Sequence, residues 1–460
     1  MLADKEILLP LIEEAAAKAV EIRRDLHMHP ELSGQEVRTS GVIAAALKEL
    51  GIETREGLGK PVLPDPEYIK AVLTSAIAKD MLKDMGMGEE VLGTIDLSGL
   101  DIESMDPAAI AAMASMIMPP GHGVLGTIYG DDPTRAIAIR ADIDALPVTE
   151  ETDTPFKSQN PGIMHACGHD MHTAALLGTA MVLKKYADRG GRLPRSVKFI
   201  FQPNEEGTGG AAPMIAEGVM QDPAVESIFA FHVDPSREYG KIRFFPGVMN
   251  ASCTDFKITV HGKASHGAHP NLGIDPIPCA CDIVLALQTI ITRKLDPASG
   301  AVLTVGAIRG GSTTNQVPDH CEMVGTIRTL DNESLEIIED EMRRLVSSVA
   351  EGYGCTAETV IGELYPVLFN DPEVSEVIRT VAEDLAGPEN IVNDNAPSFS
   401  SDDFAYFTSA VKGCYFHLGS TRPGSEEIHD IHSNLFDPDE RLIKLAITME
   451  VFSCLRLMGA

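Results

Sequence analysis

Apolar positions along the chain recur in two rhythms, one near 3.6 residues and one near 2, and their alternation sets the expected architecture. Residues 6–28 carry apolar side chains at helical spacing among good helix formers. Ala136–Arg140, Val197–Phe201 and Ile228–His232 are short apolar runs rich in β-formers, each followed by a polar turn. This alternation predicts an α/β scaffold with helices on a mainly parallel sheet. From Met249 to Tyr365 the order becomes strand, helix, strand, strand, helix, strand. Asp255–Val260 alternates, Asp275–Thr292 is helical, and Ala301–Ala307 and Cys321–Thr329 read as strands. That stretch reads as a separate α+β unit inserted into the first. Short apolar runs return at Gly413–Leu418, and a terminal helix is expected over Pro438–Met458. The division expected from these changes is one domain over 1–248 and 364–460 and a second over 249–363.

Length agrees with two cores, since 460 residues exceed what one small core organises. The 44% of apolar residues, with 40 glycines and 29 prolines, suits a compact, loop-rich enzyme and not a disordered chain. A net charge of −31 would repel phosphate backbones and anionic membrane surfaces, so neither nucleic acid nor membrane is expected as a partner. A local cationic pocket can still hold a small anion, because screening limits the global field to about 10 Å. The start, Met-Leu-Ala-Asp-Lys-Glu, lacks a basic region followed by an apolar stretch, and no run approaches bilayer-spanning length. A cytoplasmic location is therefore expected, with the eight unpaired cysteines kept reduced.

The polar turns after the strands carry the chemistry, as expected of the crevice beyond the carboxyl ends of an open α/β sheet. Met164–Asp170 reads Met-His-Ala-Cys-Gly-His-Asp, and Gln202–Gly210 reads Gln-Pro-Asn-Glu-Glu-Gly-Thr-Gly-Gly. Cys167 and His169 flank a glycine, a spacing that lets both side chains face one point in a turning segment. Thiolate, imidazole and carboxylate together suit a borderline divalent ion such as zinc, with cobalt, nickel or manganese also accommodated. Glu205 and Glu206 are consecutive, so they point in different directions, and one can bind metal while the other faces a substrate. Gly207, Gly209 and Gly210 lack full Gly-x-Gly-x-x-Gly spacing and let backbone approach the site closely instead. A His-Glu-x-x-His helix and a Gly-x-Ser-x-Gly elbow are both absent from the sequence, which argues against a single-metal protease of that kind and against a serine hydrolase.

These segments have company along the chain. Arg24-Asp25-Leu26-His27-Met28-His29-Pro30-Glu31-Leu32, Arg140–Pro147, the Cys-Gly-His-Asp segment and the Glu205-Glu206 pair resemble the amidohydrolase branch of the aminoacylase and carboxypeptidase metallohydrolases. Hippurate hydrolases, N-acyl-L-amino acid amidohydrolases and auxin-conjugate hydrolases belong to that branch. Further matches are Gly262–Pro270, Asn315–Asp319, Gly325–Arg328, Ser401-Asp402-Asp403-Phe404 and His432–Phe436, so the resemblance covers nearly the whole chain in order. It implies an α/β catalytic domain, its mainly parallel sheet flanked by helices, carrying a smaller inserted α+β, ferredoxin-like domain that serves for dimerisation or as a lid.

By resemblance the metal ligands are Cys167, His169, Glu206, His232 and His432, with Cys167 bridging two divalent ions and positions left open for water. Singly, a buried cysteine or a histidine after a strand is as readily a core residue; the ordered combination carries the reading. Glu205 would be the general base. His266 would reach the active site of a partner subunit in a homodimer and stabilise the oxyanion, with His269 close enough in sequence to be confused with it. Asn315 and Arg328 would hold the substrate's carboxylate, a task that suits the planar guanidinium fork. His165, Asp170 and His172 are expected to orient ligand imidazoles, as is Asp144, whereas Asp142 is expected to be structural.

Residues 61–121 depart from the family, which runs almost directly from a turn like Gly57–Lys60 into a strand like Val124–Tyr129. Ile69, Val72, Leu73, Ala76 and Ile77 recur there at helical spacing, so a helical insertion is expected, either packed on the first domain or acting as a lid or partner surface. The expected activity is hydrolysis of the amide bond of small N-acyl amino acids. A dipeptidase or carboxypeptidase of the same family is the alternative, and a binding protein that has lost turnover is a further one.

Overall fold

Side chains alternate across the strands of one eight-stranded sheet, and both of its faces are covered. The structure is a computed structural model in which residues 4–60, 120–393 and 396–459 are described. Across the sheet the strands run in the order Glu53–Leu58, Gly123–Ile128, Arg195–Gln202, Asp132–Asp142, Ala224–Glu238, Lys412–Thr421, Ile242–Phe244 and Ile391–Asn393. The strands from Arg195–Gln202 through Lys412–Thr421 are mutually parallel. Glu53–Leu58 and Gly123–Ile128 join antiparallel at one edge. The expected α/β class with a mainly parallel centre is what the chain adopts.

The period of two sorts the strand residues between two cores. Ile137, Ile139, Val197, Phe199, Phe229 and Phe416 pack beneath helices Lys5–Met28, His169–Asp188, Pro372–Ala386 and Arg441–Leu457. Ala138, Ile200, Ile228, Ala230 and Tyr415 face the short helices Ala211–Ala216 and Phe404–Ala410. Burial on both faces is why these strands read as continuous apolar runs. The helix His169–Asp188 is buried almost all round, between the sheet and the helices Lys5–Met28 and Arg441–Leu457. Its first turn is pinned from the first helix, because Arg23 Nε and His27 Nδ1 lie 2.7 and 2.8 Å from Asp170 Oδ2. Burial would raise Asp170, yet Arg23 and His27 hold its carboxyl below the usual carboxylate range.

A second sheet carries its own core. Its order is Ala301–Gly310, His320–Thr329, Cys253–His261 and Thr356–Tyr365, all antiparallel. Helices Pro276–Arg293 and Asn332–Gly352 cover one face and meet it through Cys279, Ile283, Leu287, Ile338, Met342 and Val346. This is the ferredoxin-like order expected. Each helix starts where the sequence supplies a cap: Asp275 accepts from Ile277 N ahead of Pro276, and Asp331 from Ser334 N. By length and composition Pro276–Arg293 is the one helix among the described residues apolar enough to cross a membrane. Its buried stripe of Cys279, Ala280, Ile283, Leu287 and Ile290 is spent on this sheet. The helical insertion expected over 61–121 lies outside the described residues, apart from 120 and 121.

Glu450 shows how tightly the helix Arg441–Leu457 seats against His169–Asp188. Thr179 Oγ1 donates to Glu450 Oε2 at 2.5 Å, while Oε1, also buried, has no hydrogen-bond partner. Burial pushes this carboxyl up to about 8, from an ordinary value of 4.5. Between those limits the unfolded chain is ionised at this residue and the folded chain keeps its proton. Folding therefore weakens as pH rises through that window, by up to about 1.4 kcal/mol per pH unit. Glu450→Gln should flatten this slope and be more stable than the parent near the upper limit, in urea denaturation followed by circular dichroism. Equal slopes for both proteins would show that Glu450 is ionised in the folded state.

Candidate active site

The sharpest local constraint at the site is Gly168. Its φ is +89°, and a Cβ built there would meet Val233 Cγ2 at 2.7 Å. A glycine is required both by the left-handed backbone and by the close approach of the strand Ala224–Glu238. The turn it allows ends the loop that brings in Cys167 and starts the helix at His169, so both side chains face the ends of the parallel strands. Glu205 and Glu206 follow Arg195–Gln202 in the next strand-end loop. His232 stands within Ala224–Glu238, beyond its last pair with Asp132–Asp142 at Ile139 and Phe229. His432 comes from the loop after Lys412–Thr421, with φ +66° and its amide bonded to the Ala166 carbonyl at 2.8 Å. A non-glycine residue held at positive φ stores strain that the surrounding contacts must outweigh.

The five side chains taken as ligands by resemblance come together here. Ligating atoms of Cys167, His169 and His232 lie within 4.8 Å of one another, as do those of Cys167, Glu206 and His432, so Cys167 belongs to both groups. Glu205 forms a further group with His169 and Glu206. Cys167 Sγ is 3.4 Å from His232 Nε2, and Glu206 Oε1 is 3.2 Å from His432 Nε2.

The layer behind presents the ring nitrogens correctly for metal. His232 Nδ1 donates to the Val233 carbonyl at 2.7 Å, which leaves Nε2 with its lone pair facing Cys167. His169 Nδ1 donates to Asp144 at its carbonyl and Oδ1, 3.0 and 3.1 Å away. That leaves His169 Nε2 buried, without a hydrogen-bond partner, 3.9 Å from Glu206 Oε1. Burial alone would lower His169, but the carboxylates of Asp142, Asp144 and Glu206 raise it to about 10. Burial, with Glu206, Glu205 and Asp142, pushes the Cys167 thiol well above its ordinary range. A cage that draws a proton on to an imidazole and suppresses a thiolate lacks positive charge. An orphaned imidazole nitrogen, a shared thiol and this anionic surplus fit a pair of divalent cations.

Several neighbours act from behind. Asp142 engages both oxygens, with Arg140 Nη1 and with His172 Nδ1, each at 2.6 Å. His172 Nε2 in turn accepts from Val233 N at 3.2 Å, beside the His232 ring. Asp170 pairs with Arg23 and His27 and orients no ligand imidazole, while both His165 nitrogens are buried without partners. Asp402 and Asp403, whose segment was matched but given no role, form a buried group with Glu205. Asp403 also accepts from Arg140 Nη2, Gln202 Nε2, Gly210 N and Ala211 N. Burial, together with Asp402, Glu206 and Asp403, holds Glu205 well above the usual carboxylate range.

His266, Asn315 and Arg328 lie in the second unit, and His266 joins none of these groups. His266 is exposed on the short strand Ser265–His266, which pairs with Gln316–Val317 next to Asn315. The His269 ring is 5.6 Å from that of His266. Arg328 Nη1 donates to Thr326 Oγ1 and to the Ile327 carbonyl.

A thiol, imidazoles and carboxylates around one point, with a spare carboxylate beside them, define the site of a metallohydrolase. The chain matches peptidase family M20/M25/M40 over residues 138–452, and it belongs to that family. It is 35% identical to thermostable carboxypeptidase 2 of Saccharolobus solfataricus over 94% of each chain. It is 32% identical to the N-acetyl-L-cysteine deacetylase of Bacillus subtilis over 96% of this chain and 88% of that one. Among solved structures it superposes on the Bacillus subtilis YXEP protein, a dinuclear metal-binding peptidase of family M20, with a TM-score of 0.72, 30% identity and coverage of 97% and 99%. The chain is accordingly a hydrolase of amide bonds.

Because both φ and space demand glycine at 168, Gly168→Ala should cost roughly 2 kcal/mol of stability and displace Cys167 and His169 together. Elemental analysis after reconstitution should find markedly less bound metal than in the parent. Full metal retention at unchanged melting temperature would show that the turn does not set the ligand geometry.

Proposed function

We propose that this chain hydrolyses the amide bond of N-acyl amino acids, releasing a carboxylic acid and an amino acid with its own carboxylate free. The reading rests on one observation, the convergence of Cys167, His169, Glu206, His232 and His432 with Glu205 at their side. Those five side chains would hold two divalent ions, zinc, manganese, cobalt or nickel, with Cys167 shared between them. When bound, such ions lower the pKa of water and polarise a carbonyl oxygen. Glu205 takes a proton from the attacking water on to a carboxylate oxygen and passes it to the leaving nitrogen as the C–N bond breaks. Its buried position suits that task, because a base held above the ordinary carboxylate range accepts the proton more readily. Asn315 and Arg328 would bind the substrate's carboxylate through an amide and a planar guanidinium.

Peptide hydrolysis is the second reading, favoured by the carboxypeptidase name of the 35% identical relative. N-Acetyl and N-benzoyl amino acids should be cleaved faster than dipeptides by metal-reconstituted protein; the reverse order would move the chain to the second reading. Glu205→Gln removes the base and leaves every ligand in place. Metal content should persist while turnover falls by roughly 10² or more. Near-normal turnover would place the base elsewhere.

We also infer a cytoplasmic homodimer without nucleic-acid or membrane partners, in keeping with the net charge of −31. Leu272 and Leu285 stand 63% and 68% exposed on the second unit, apolar surface of the kind a second copy would cover. In that assembly His266 of the partner subunit would donate to the developing oxyanion. Two inactive variants, His266→Ala and Glu205→Gln, should then rescue each other, since a mixed dimer has one site with both residues intact. Loss of an oxyanion donor typically costs about 3 kcal/mol, so the recovered rate should stand far above either parent. No recovery after verified subunit exchange would confine His266 to its own chain or to no catalytic role.

A further inference from the structure

One peptide bond joins Glu205 to Glu206, and both of its polar atoms are held. The Glu206 amide donates to Asp144 Oδ2 at 2.9 Å. The Glu205 carbonyl accepts from the hydroxyl of Tyr365 at 2.9 Å. Because a peptide unit is planar, fixing its C=O and N–H fixes its rotation between the two Cα atoms, and this constrains the directions in which both side chains leave the backbone. Asp144 belongs to the strand-end cluster and also receives His169 Nδ1 and Ser33 Oγ. Tyr365 belongs to a strand of the second sheet.

Tyr365 is the last residue of Thr356–Tyr365 and pairs with Cys253, the first residue of Cys253–His261, after a register shift between Glu363 and Tyr365. It therefore stands where the chain crosses from one unit to the other, on a strand whose irregularity re-aims its side chain. The ring lies against Gly209, whose φ is +86° and where a Cβ would come within 3.0 Å of Tyr365 Cε1. Tyr406 Oη donates to the neighbouring Leu364 carbonyl at 2.6 Å and secures the strand end from the catalytic side. Tyr365 Oη also lies 3.4 Å from the Gly207 carbonyl, so its reach covers the whole turn that carries the two glutamates.

We propose that Tyr365 is a positioning residue for hydrolysis: its hydroxyl, offered across the junction between the units, acts with Asp144 to hold the Glu205–Glu206 peptide plane and so aims the Glu205 carboxylate. The proposal rests on Glu205 being the base. It makes the placement of the inserted unit part of what sets the base, through one hydrogen bond.

Tyr365→Phe removes the hydroxyl and keeps the ring. Turnover should fall about tenfold, with KM and bound metal within about twofold of the parent. The decisive measurement is a double-mutant cycle with Glu205→Gln, read as single-turnover rates with enzyme in excess. If Tyr365 acts through Glu205, adding Tyr365→Phe to Glu205→Gln should change the residual rate by less than about twofold. A tenfold loss that persists in the Glu205→Gln background overturns the proposal, as does unchanged kcat or a loss expressed only in KM or metal content. Failure of the base assignment is separately visible, since Glu205→Gln alone would then turn over normally.

Discussion

Anionic charge kept out of water is the constraint on which the rest of this structure depends. Asp142, Asp144, Glu205, Asp402 and Asp403 are all buried at the ends of the central strands, and the guanidinium of Arg140, itself buried, meets three of them. One guanidinium cannot neutralise that set, and carboxylates are not retained in a protein interior without compensation. The fold answers in two ways. Backbone amides and hydroxyls are turned towards the carboxylates, as at Asp403 and Asp144. The remaining deficit is left facing Cys167, His169 and His232, where a cation pair is the natural complement.

Much of this was legible in residue order. The runs Val197–Phe201 and Ile228–His232 announced buried strands because both faces of the sheet are covered, and the helix expected over 6–28 forms over Lys5–Met28. The Asp275 and Asp331 caps fall where the helical pattern begins. The antiparallel edge was less visible: Glu53–Leu58 buries only its last residue, so neither rhythm reaches a detectable length. Ala224–Glu238 extends well past the apolar run because its last third, from Asp234 to Glu238, is polar strand.

At the site, residue type and spacing pointed to a metal, but the resemblance supplied the set of ligands. Cys167 and His169 are close in sequence, whereas His432 arrives by tertiary folding alone. What escaped is the supporting layer. Asp403 works through backbone amides, and Tyr365 reaches the site through a carbonyl 160 positions away. Hydrogen bonds to the main chain leave no signature in the pattern of side chains. Asp170 was assigned to a ligand imidazole on proximity in sequence; a helix turns its neighbours to different faces, and this one meets Arg23 and His27 instead.

The place of Lys412–Thr421 in the sheet has a bearing on how the protein is made. This strand lies beside Ala224–Glu238 in the sheet, yet it is synthesised only after the whole of the second sheet, and the loop that follows it carries His432. A nascent chain that has already delivered Cys167, His169, Glu206 and His232 still presents a gap where its central strand belongs. Long-range parallel pairing of this kind is slow to form. Assembly of the cluster around Cys167 and completion of the sheet are thereby bound to the same moment, after the whole of the second sheet has been made.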